Sequence, residues 1–185
     1  MNLPNLLTIF RMLFPLILTL ILYLNFSIFI ERIIVLTTFL ILSLTDFLDG
    51  YIARKLKIES IFGKIFDPIS DKILSSSALL YILSFEESIL IPSIIIISRE
   101  FLVSGNREYM LSTKKINIDV IFLSKLKTSF QFISISMFLL SSILVNEMSL
   151  LYLAKSFLWF TTLLTIYTGL KYSYKTYNIQ HKRKK

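Results

Sequence analysis

Four aspartates in the second quarter of the chain stand at spacings that can do chemistry. Asp46 and Asp49 are three apart, Asp67 and Asp71 are four apart, and between the pairs come Gly50, Ala53, Arg54 and Gly63. On helices, Asp46, Asp49, Gly50 and Ala53 fall at i, i+3, i+4 and i+7 and share one face, while Asp67 and Asp71 stand one turn apart on another helix. A lone carboxylate in or beside apolar sequence is expensive, so four of them call for partners, and a pair of divalent cations fits that need. The donors are all oxygen, which suits Mg2+ or Mn2+ held by a few carboxylates together with the oxygens of a substrate phosphate. Gly50 and Ala53 keep the carboxylate face free of bulk, and the fixed fork of Arg54 suits a pair of phosphate oxygens. Read one at a time, each Asp is equally a helix cap or a solvated terminal residue. The full set at these spacings is not explained that way.

Taken whole, Asp46-x2-Asp49-Gly50-x2-Ala53-Arg54-x8-Gly63-x3-Asp67-x3-Asp71 resembles the signature of the CDP-alcohol phosphatidyltransferase family at every specified position. The resemblance implies that Asp46, Asp49, Asp67 and Asp71 bind two Mg2+ or Mn2+ ions and that Asp71 is also the general base. It implies too that Gly50, Ala53, Arg54, Ser60 and Gly63 lie near the nucleotide and diphosphate, and that the protein is a homodimer. Pro4-Asn5-x2-Thr8 is also similar to the family, which would bring Asn5 and Thr8 to the nucleotide pocket. From the residues alone, Asn5 and Thr8 read equally as a polar helix start, with Arg11 three further on the same face.

The chain that must position these groups is very apolar. Its 185 residues are 55% hydrophobic with only four Gly and four Pro, and the mean hydropathy is +0.71. A soluble domain of this size needs far more polar surface, so the expected fold is all-α: an integral membrane protein of six transmembrane helices in a single domain over residues 1–185. The first run contains Arg11 and is followed by no small-residue cleavage site, which predicts a retained span ending near Asn25 rather than a signal peptide. Further spans are expected over about 30–48, from the Asp67-Pro68 segment to about 85, from about 89, over about 120–144 and over about 150–172. Pro68 is at home in a first helical turn, which predicts Asp67 near the start of the third span. There an N-terminal dipole would favour the carboxylates and a bound diphosphate. The absence of Cys excludes disulfides, thiolate metal sites and cysteine nucleophiles.

The formal net charge of +8 lies mostly beside apolar runs and in the tail from His181 to Lys185, which fits an anionic membrane leaflet rather than nucleic acid. Arg54, Lys55 and Lys57, Lys114 and Lys115, and the tail follow the second, fourth and sixth runs, while Glu86, Glu87 and Glu147 follow the third and fifth. By the positive-inside tendency, both termini and the aspartates are expected on the cytoplasmic side of the inner membrane.

A second set of charges bears on the substrate. Arg99 and Arg107 are two turns apart on one face with Glu100 and Glu108 beside them, and Lys125 and Lys127 open the fifth run. Internal ion pairs would explain the first four and interfacial snorkelling the lysines; the sharper reading is an anion site for a phosphorylated second substrate. Pro4 to Arg11, Arg99-Glu100-x6-Arg107-Glu108 and Lys125-Leu126-Lys127-Thr128 resemble the bacterial phosphatidylglycerophosphate synthase branch of the family, with Ser98 and Ser124 departing from the expected small Ala and Gly. That branch implies attack of sn-glycerol 3-phosphate on CDP-diacylglycerol with release of CMP. The alternatives are another acceptor, such as an inositol phosphate or phosphatidylglycerol, on the same scaffold, or, more distantly, a cation transporter, from which repeats or interrupted helices and a route across the bilayer are expected, whereas this carboxylate cluster sits toward one face.

Overall fold

The computed structural model describes residues 3–56, 61–114, 122–144 and 148–182. The side chains of residues 3, 4, 46–56, 61, 62, 64, 113, 114, 122, 125 and 178–182 lie outside that description. Every regular element among the described residues is helical. In chain order they are α1 (Leu3–Met12), α2 (Phe14–Tyr23), α3 (Ile28–Leu56), α4 (Ile61–Leu83), a 3-10 turn at Glu87–Ile89, α5 (Leu90–Lys114), α6 (Phe122–Ser141) and α7 (Met148–Lys182).

The first apolar run is bent. Pro15 occupies the first turn of α2 and has no N–H to return to the carbonyl of Arg11, and the axis turns by 44° between Asn5–Met12 and Phe14–Tyr23. Helical hydrogen bonds still bridge the bend, from Leu13 N–H to the Ile9 carbonyl and from Ile17 N–H to the Leu13 carbonyl, both 3.0 Å. Asn25, at φ 49°, ends α2 in the left-handed region that Asn tolerates.

Among the described residues three helices are long and apolar enough to cross a membrane, over Ile28–Thr45, Glu87–Ser112 and Met148–Tyr177, or four when the bent α1–α2 pair is taken as one. The apolar stretch of α3 stops one residue before Asp46. At 1.5 Å per residue it covers about 27 Å, close to the thickness of a bilayer's hydrocarbon core. α4 is less apolar because Lys64, Asp67, Asp71 and Lys72 lie within it, and the apolar part of α6 is short, Leu126–Ser141.

α4 does not begin at Pro68, as the sequence predicts, but at Ile61, and Pro68 is interior to it. Asp67 is therefore nearly two turns inside, out of reach of an N-terminal dipole, which fades within the first turn. Pro68 has no N–H to give to the carbonyl one turn earlier, and just beyond it the Ser70 hydroxyl donates to the Asp67 carbonyl at 2.9 Å.

The core is built by helical repeats of large apolar residues: Phe14, Leu18 and Ile21 on α2, Val35, Phe39 and Leu42 on α3, and Ile135, Phe138 and Leu139 on α6, meeting Leu74, Leu79 and Ile82 on α4. Phe39 sits between Phe14 and Phe132, with ring centroids 6.3 and 5.6 Å apart. Outward positions are equally apolar, among them Leu16, Leu102, Leu163 and Leu170, as a surface facing lipid requires.

The end remote from the aspartates is fastened by polar contacts. Tyr81 donates to Glu31 at 2.7 Å, and Arg32 donates to the Ser142 carbonyl at 2.5 Å while its guanidinium lies 4.8 Å from the Phe85 ring centre. Glu86 pairs with Lys155 at 3.1 Å. Burial pushes the Glu86 carboxyl up, but hydrogen bonds from Ser88 and Lys155 outweigh it and leave Glu86 below the ordinary carboxylate range.

Candidate active site

α1 lies along α4, and the contact is made by the groups that matter. Thr8 and Arg11, one turn apart, meet Asp67 and Asp71, also one turn apart. Thr8 donates to Asp67 Oδ1 at 2.6 Å. Arg11 donates from Nη1 to Asp71 Oδ1 at 2.5 Å and from Nη2 to Asp67 Oδ1 at 3.4 Å. Arg11 is only 2% exposed, whereas the Asp67 and Asp71 side chains are 47% and 36% exposed. The two carboxylates are thus held from behind by α1 and reachable from in front. Gly63 is buried one turn before Asp67, and Asn5 is half-buried one turn before Thr8.

Asp46, Asp49, Gly50, Ala53 and Arg54 are on the last turns of α3, and their side chains lie outside the described residues. Ser60 and the Lys125 side chain are outside as well. Among the described residues there is no group of three ligating side chains. The described half of the predicted metal set nonetheless suits a hard divalent cation: one guanidinium reaches both Asp67 and Asp71, so their oxygens converge, and the donors are carboxylate oxygen alone.

Beside Asp71 opens a cavity of about 220 Å³ between α4, α5, α6 and α7. It is rich in cations: Lys72, Arg99, Arg107 and Lys127 line it together with the carboxylates Asp71 and Glu100. The spacing of Arg99 and Arg107 on one helical face is what brings both to this wall. Lys127, 2% exposed, donates to Glu100 at 2.7 Å, and Glu100 is 5% exposed. This lysine does not snorkel to an interface; a glutamate from the neighbouring helix neutralises it in the interior. Lys72 donates to the Ser104 hydroxyl. With Lys127 set against Glu100 and Asp71 against Arg11, the cavity is left with the surplus positive charge of Lys72, Arg99 and Arg107.

Arg99 is seated by α7. Its Nη2 donates to Thr168 Oγ1 at 2.8 Å, and Thr168 in turn donates to the Leu164 carbonyl at 2.7 Å. A Cβ on Gly169 would stand 3.0 Å from Arg99 Cγ and 3.3 Å from its Nε. The glycine is the gap through which the arginine stem passes.

Sequence reasoning missed Lys72, Gln131 and the α7 seat of Arg99. Lys72 and Gln131 carry a weak signal, a cation directly after Asp71 and a lone amide four residues after Lys127 in an apolar run. Thr168 and Gly169 carry none, because what they touch is 69 residues away for the Arg99 hydrogen bond.

Among the described residues every element is helical, and a pair of carboxylates stands beside a cationic cavity; the chain belongs to the CDP-alcohol phosphatidyltransferase family, which it matches over residues 1–167. Among individual relatives, it is similar to the CDP-diacylglycerol--glycerol-3-phosphate 3-phosphatidyltransferase of Rickettsia typhi, 40% identical over 178 residues that cover 95% of this chain and 98% of that one. The protein of the same name from Rickettsia prowazekii is also 40% identical over 178 residues, covering 95% of this chain and 97% of its own. That of Bacillus subtilis is 37% identical over 139 residues, 75% of this chain and 71% of its own.

Proposed function

We propose that this protein transfers the phosphatidyl group of CDP-diacylglycerol to sn-glycerol 3-phosphate, giving phosphatidylglycerophosphate and CMP. The observation that carries this reading is the juxtaposition of Asp71 with a cavity holding surplus positive charge from Lys72, Arg99 and Arg107. A neutral acceptor needs no such charge, whereas a phosphorylated alcohol does. The names of relatives that match nearly the whole chain point the same way.

In this reading Arg99 and Arg107, with Lys72, Lys125 and Lys127 around them, hold the acceptor phosphate and present the far hydroxyl to Asp71. Asp71 takes the proton as that oxygen bonds to the lipid-bearing phosphorus and the bond from that phosphorus to CMP breaks. Asn5, Thr8, Gly50, Ala53, Arg54, Ser60 and Gly63 would flank the nucleotide and diphosphate. Asp46, Asp49, Asp67 and Asp71 would hold two Mg2+ or Mn2+ ions. Such ions, when bound, neutralise the diphosphate and stabilise the departing phosphate. Thr8 and Arg11 keep Asp67 and Asp71 turned to a common point.

In this reading the chain crosses the membrane six times: the bent α1–α2 pair, then α3, α4, α5, α6 and α7. The charged groups of α4 do not argue against its crossing, since Asp67 and Asp71 face α1 and Lys72 faces α5. The loop charges favour both termini and the aspartates at the cytoplasmic face of the inner membrane. The protein would work there as a homodimer among membrane lipids.

The test is CMP release by purified protein in detergent micelles containing CDP-diacylglycerol, offered sn-glycerol 3-phosphate, inositol phosphate or phosphatidylglycerol in turn. Release is expected with glycerol phosphate alone, lost with a chelator and restored by Mg2+ or Mn2+. Asp71→Asn should lower it by about 10³-fold or more, on the scale expected when both a proton acceptor and a metal-binding group are removed. No release with glycerol phosphate, or full release by Asp71→Asn, would refute the assignment.

A further inference from the structure

Gln131 has no task in the mechanism as derived. It lies on α6, 1% exposed, and its side chain lines the cavity shared by Asp71, Arg99 and Lys127. Both its Oε1 and its Nε2 lack a hydrogen-bond partner among the described residues. A buried amide with neither end paired is costly, and Leu or Met would fill the same volume without that cost. Gln131 is not an isolated anomaly. Ser124 Oγ, two turns earlier on the same face of α6, and Glu100 Oε2 are also buried without partners and also line the cavity. The unmet hydrogen-bonding capacity gathers where the acceptor is proposed to sit.

The chemistry of an amide says what it is for. Phosphate oxygens only accept, and Lys72, Arg99 and Arg107 already supply donors for them. A carboxamide offers one acceptor and two donors, which matches an alcohol hydroxyl that both gives and takes a hydrogen bond. Gln131 is one turn beyond Lys127, toward Phe132 and Ile135 of the core, so it stands at the inner side of the charged wall.

We propose that Gln131 recognises the middle hydroxyl of the glycerol phosphate acceptor, and so turns the terminal hydroxyl toward Asp71. This rests on the acceptor reading above and adds a specificity determinant to it. The cations fix one end of a three-carbon alcohol, Gln131 fixes its centre, and the remaining hydroxyl is the one left to react. A site built to hydrogen-bond a hydroxyl discriminates strongly against the analogue that lacks it, because its polar groups are then stranded.

The experiment compares kcat/KM for sn-glycerol 3-phosphate with that for 3-hydroxypropyl phosphate, which differs only in lacking the middle hydroxyl, reading CMP release in micelles. The parent protein is expected to favour glycerol phosphate by about 100-fold or more. Gln131→Met should bring the ratio to within about threefold of unity by weakening use of glycerol phosphate alone, with the KM for CDP-diacylglycerol unchanged. Gln131→Glu, which keeps the shape and loses the N–H donors, is measured beside it with thermal unfolding of both, so that one misfolded variant does not decide the matter. A ratio unchanged in the folded variants, or no discrimination by the parent, overturns the role of Gln131 and leaves the acceptor standing. No turnover of glycerol phosphate by the parent overturns both.

Discussion

A carboxylate at the edge of an apolar bundle has to be paired, hydrated or bound to a metal, and Asp67 and Asp71 show how pairing and access are combined. Arg11, almost fully buried, meets both from behind, while each remains a third to a half exposed. The other buried pair, Lys127 and Glu100, is enclosed on both sides, and its energetics run differently. Two charges taken out of water are worth little as a pair, yet removing one strands the other. Glu100→Gln is therefore expected to cost about 3–5 kcal/mol, and replacing both by Leu to recover most of that. Thermal unfolding in detergent measures both, and a Glu100→Gln protein as stable as the parent would contradict a charged lysine at that position. The same pair marks a limit of sequence reading. Both residues were visible as charges in the fourth and fifth runs, but their partnership spans 27 residues and two helices, which no local pattern carries.

At the scale of helices, α7 does more than enclose the bundle. Thr168 receives the Arg99 guanidinium and Gly169 leaves room for its stem, so a helix with no charge in the cavity sets the position of one that has. Adding one methyl at Gly169 forces the arginine to shift, since 3.0 Å to a side-chain carbon is closer than ordinary packing. Gly169→Ala is expected to raise the KM for glycerol phosphate about tenfold while leaving that for CDP-diacylglycerol unchanged, the loss of roughly one charge-assisted hydrogen bond. Equal effects on both substrates would show a general disturbance of packing instead. α4 teaches the complementary lesson. The Asp67-Pro68 step reads as a helix start from sequence, yet the helix runs on for six residues before it, because Pro costs an interior helix one hydrogen bond and packing against α1 compensates. Local propensity placed the proline; tertiary contact decided the helix.

For the whole molecule, hydrophobic runs gave the order of the helices well, since a lipid-facing exterior demands apolar residues on every side. Their count differs: six spans were expected, and among the described residues three helices, or four with the bent α1–α2 pair, are long and apolar enough to cross. α4 and α6 are shielded by neighbours, so α4 can carry four charged residues and α6 can be short, and neither looks like a lone membrane helix. Asp67 and Asp71 were legible as a pair because they stand at helical spacing, whereas Gln131 and Gly169 were not, because their meaning depends on what faces them. Orientation is the remaining global property, and it rests on loop charge alone: basic residues after α3, α5 and α7, acidic ones between α4 and α5. The chain has no cysteine of its own, so single cysteines can report sidedness without background. Glu87→Cys and Lys182→Cys, each labelled in intact cells or spheroplasts with a membrane-impermeant maleimide, should differ. The first is expected to react from outside, and the second only after the membrane is opened, since the end of α7 is expected on the side of the aspartates. The reverse pattern would put the cationic cavity on the side away from cytoplasmic phosphorylated metabolites, and labelling of both from outside would remove one crossing from the six.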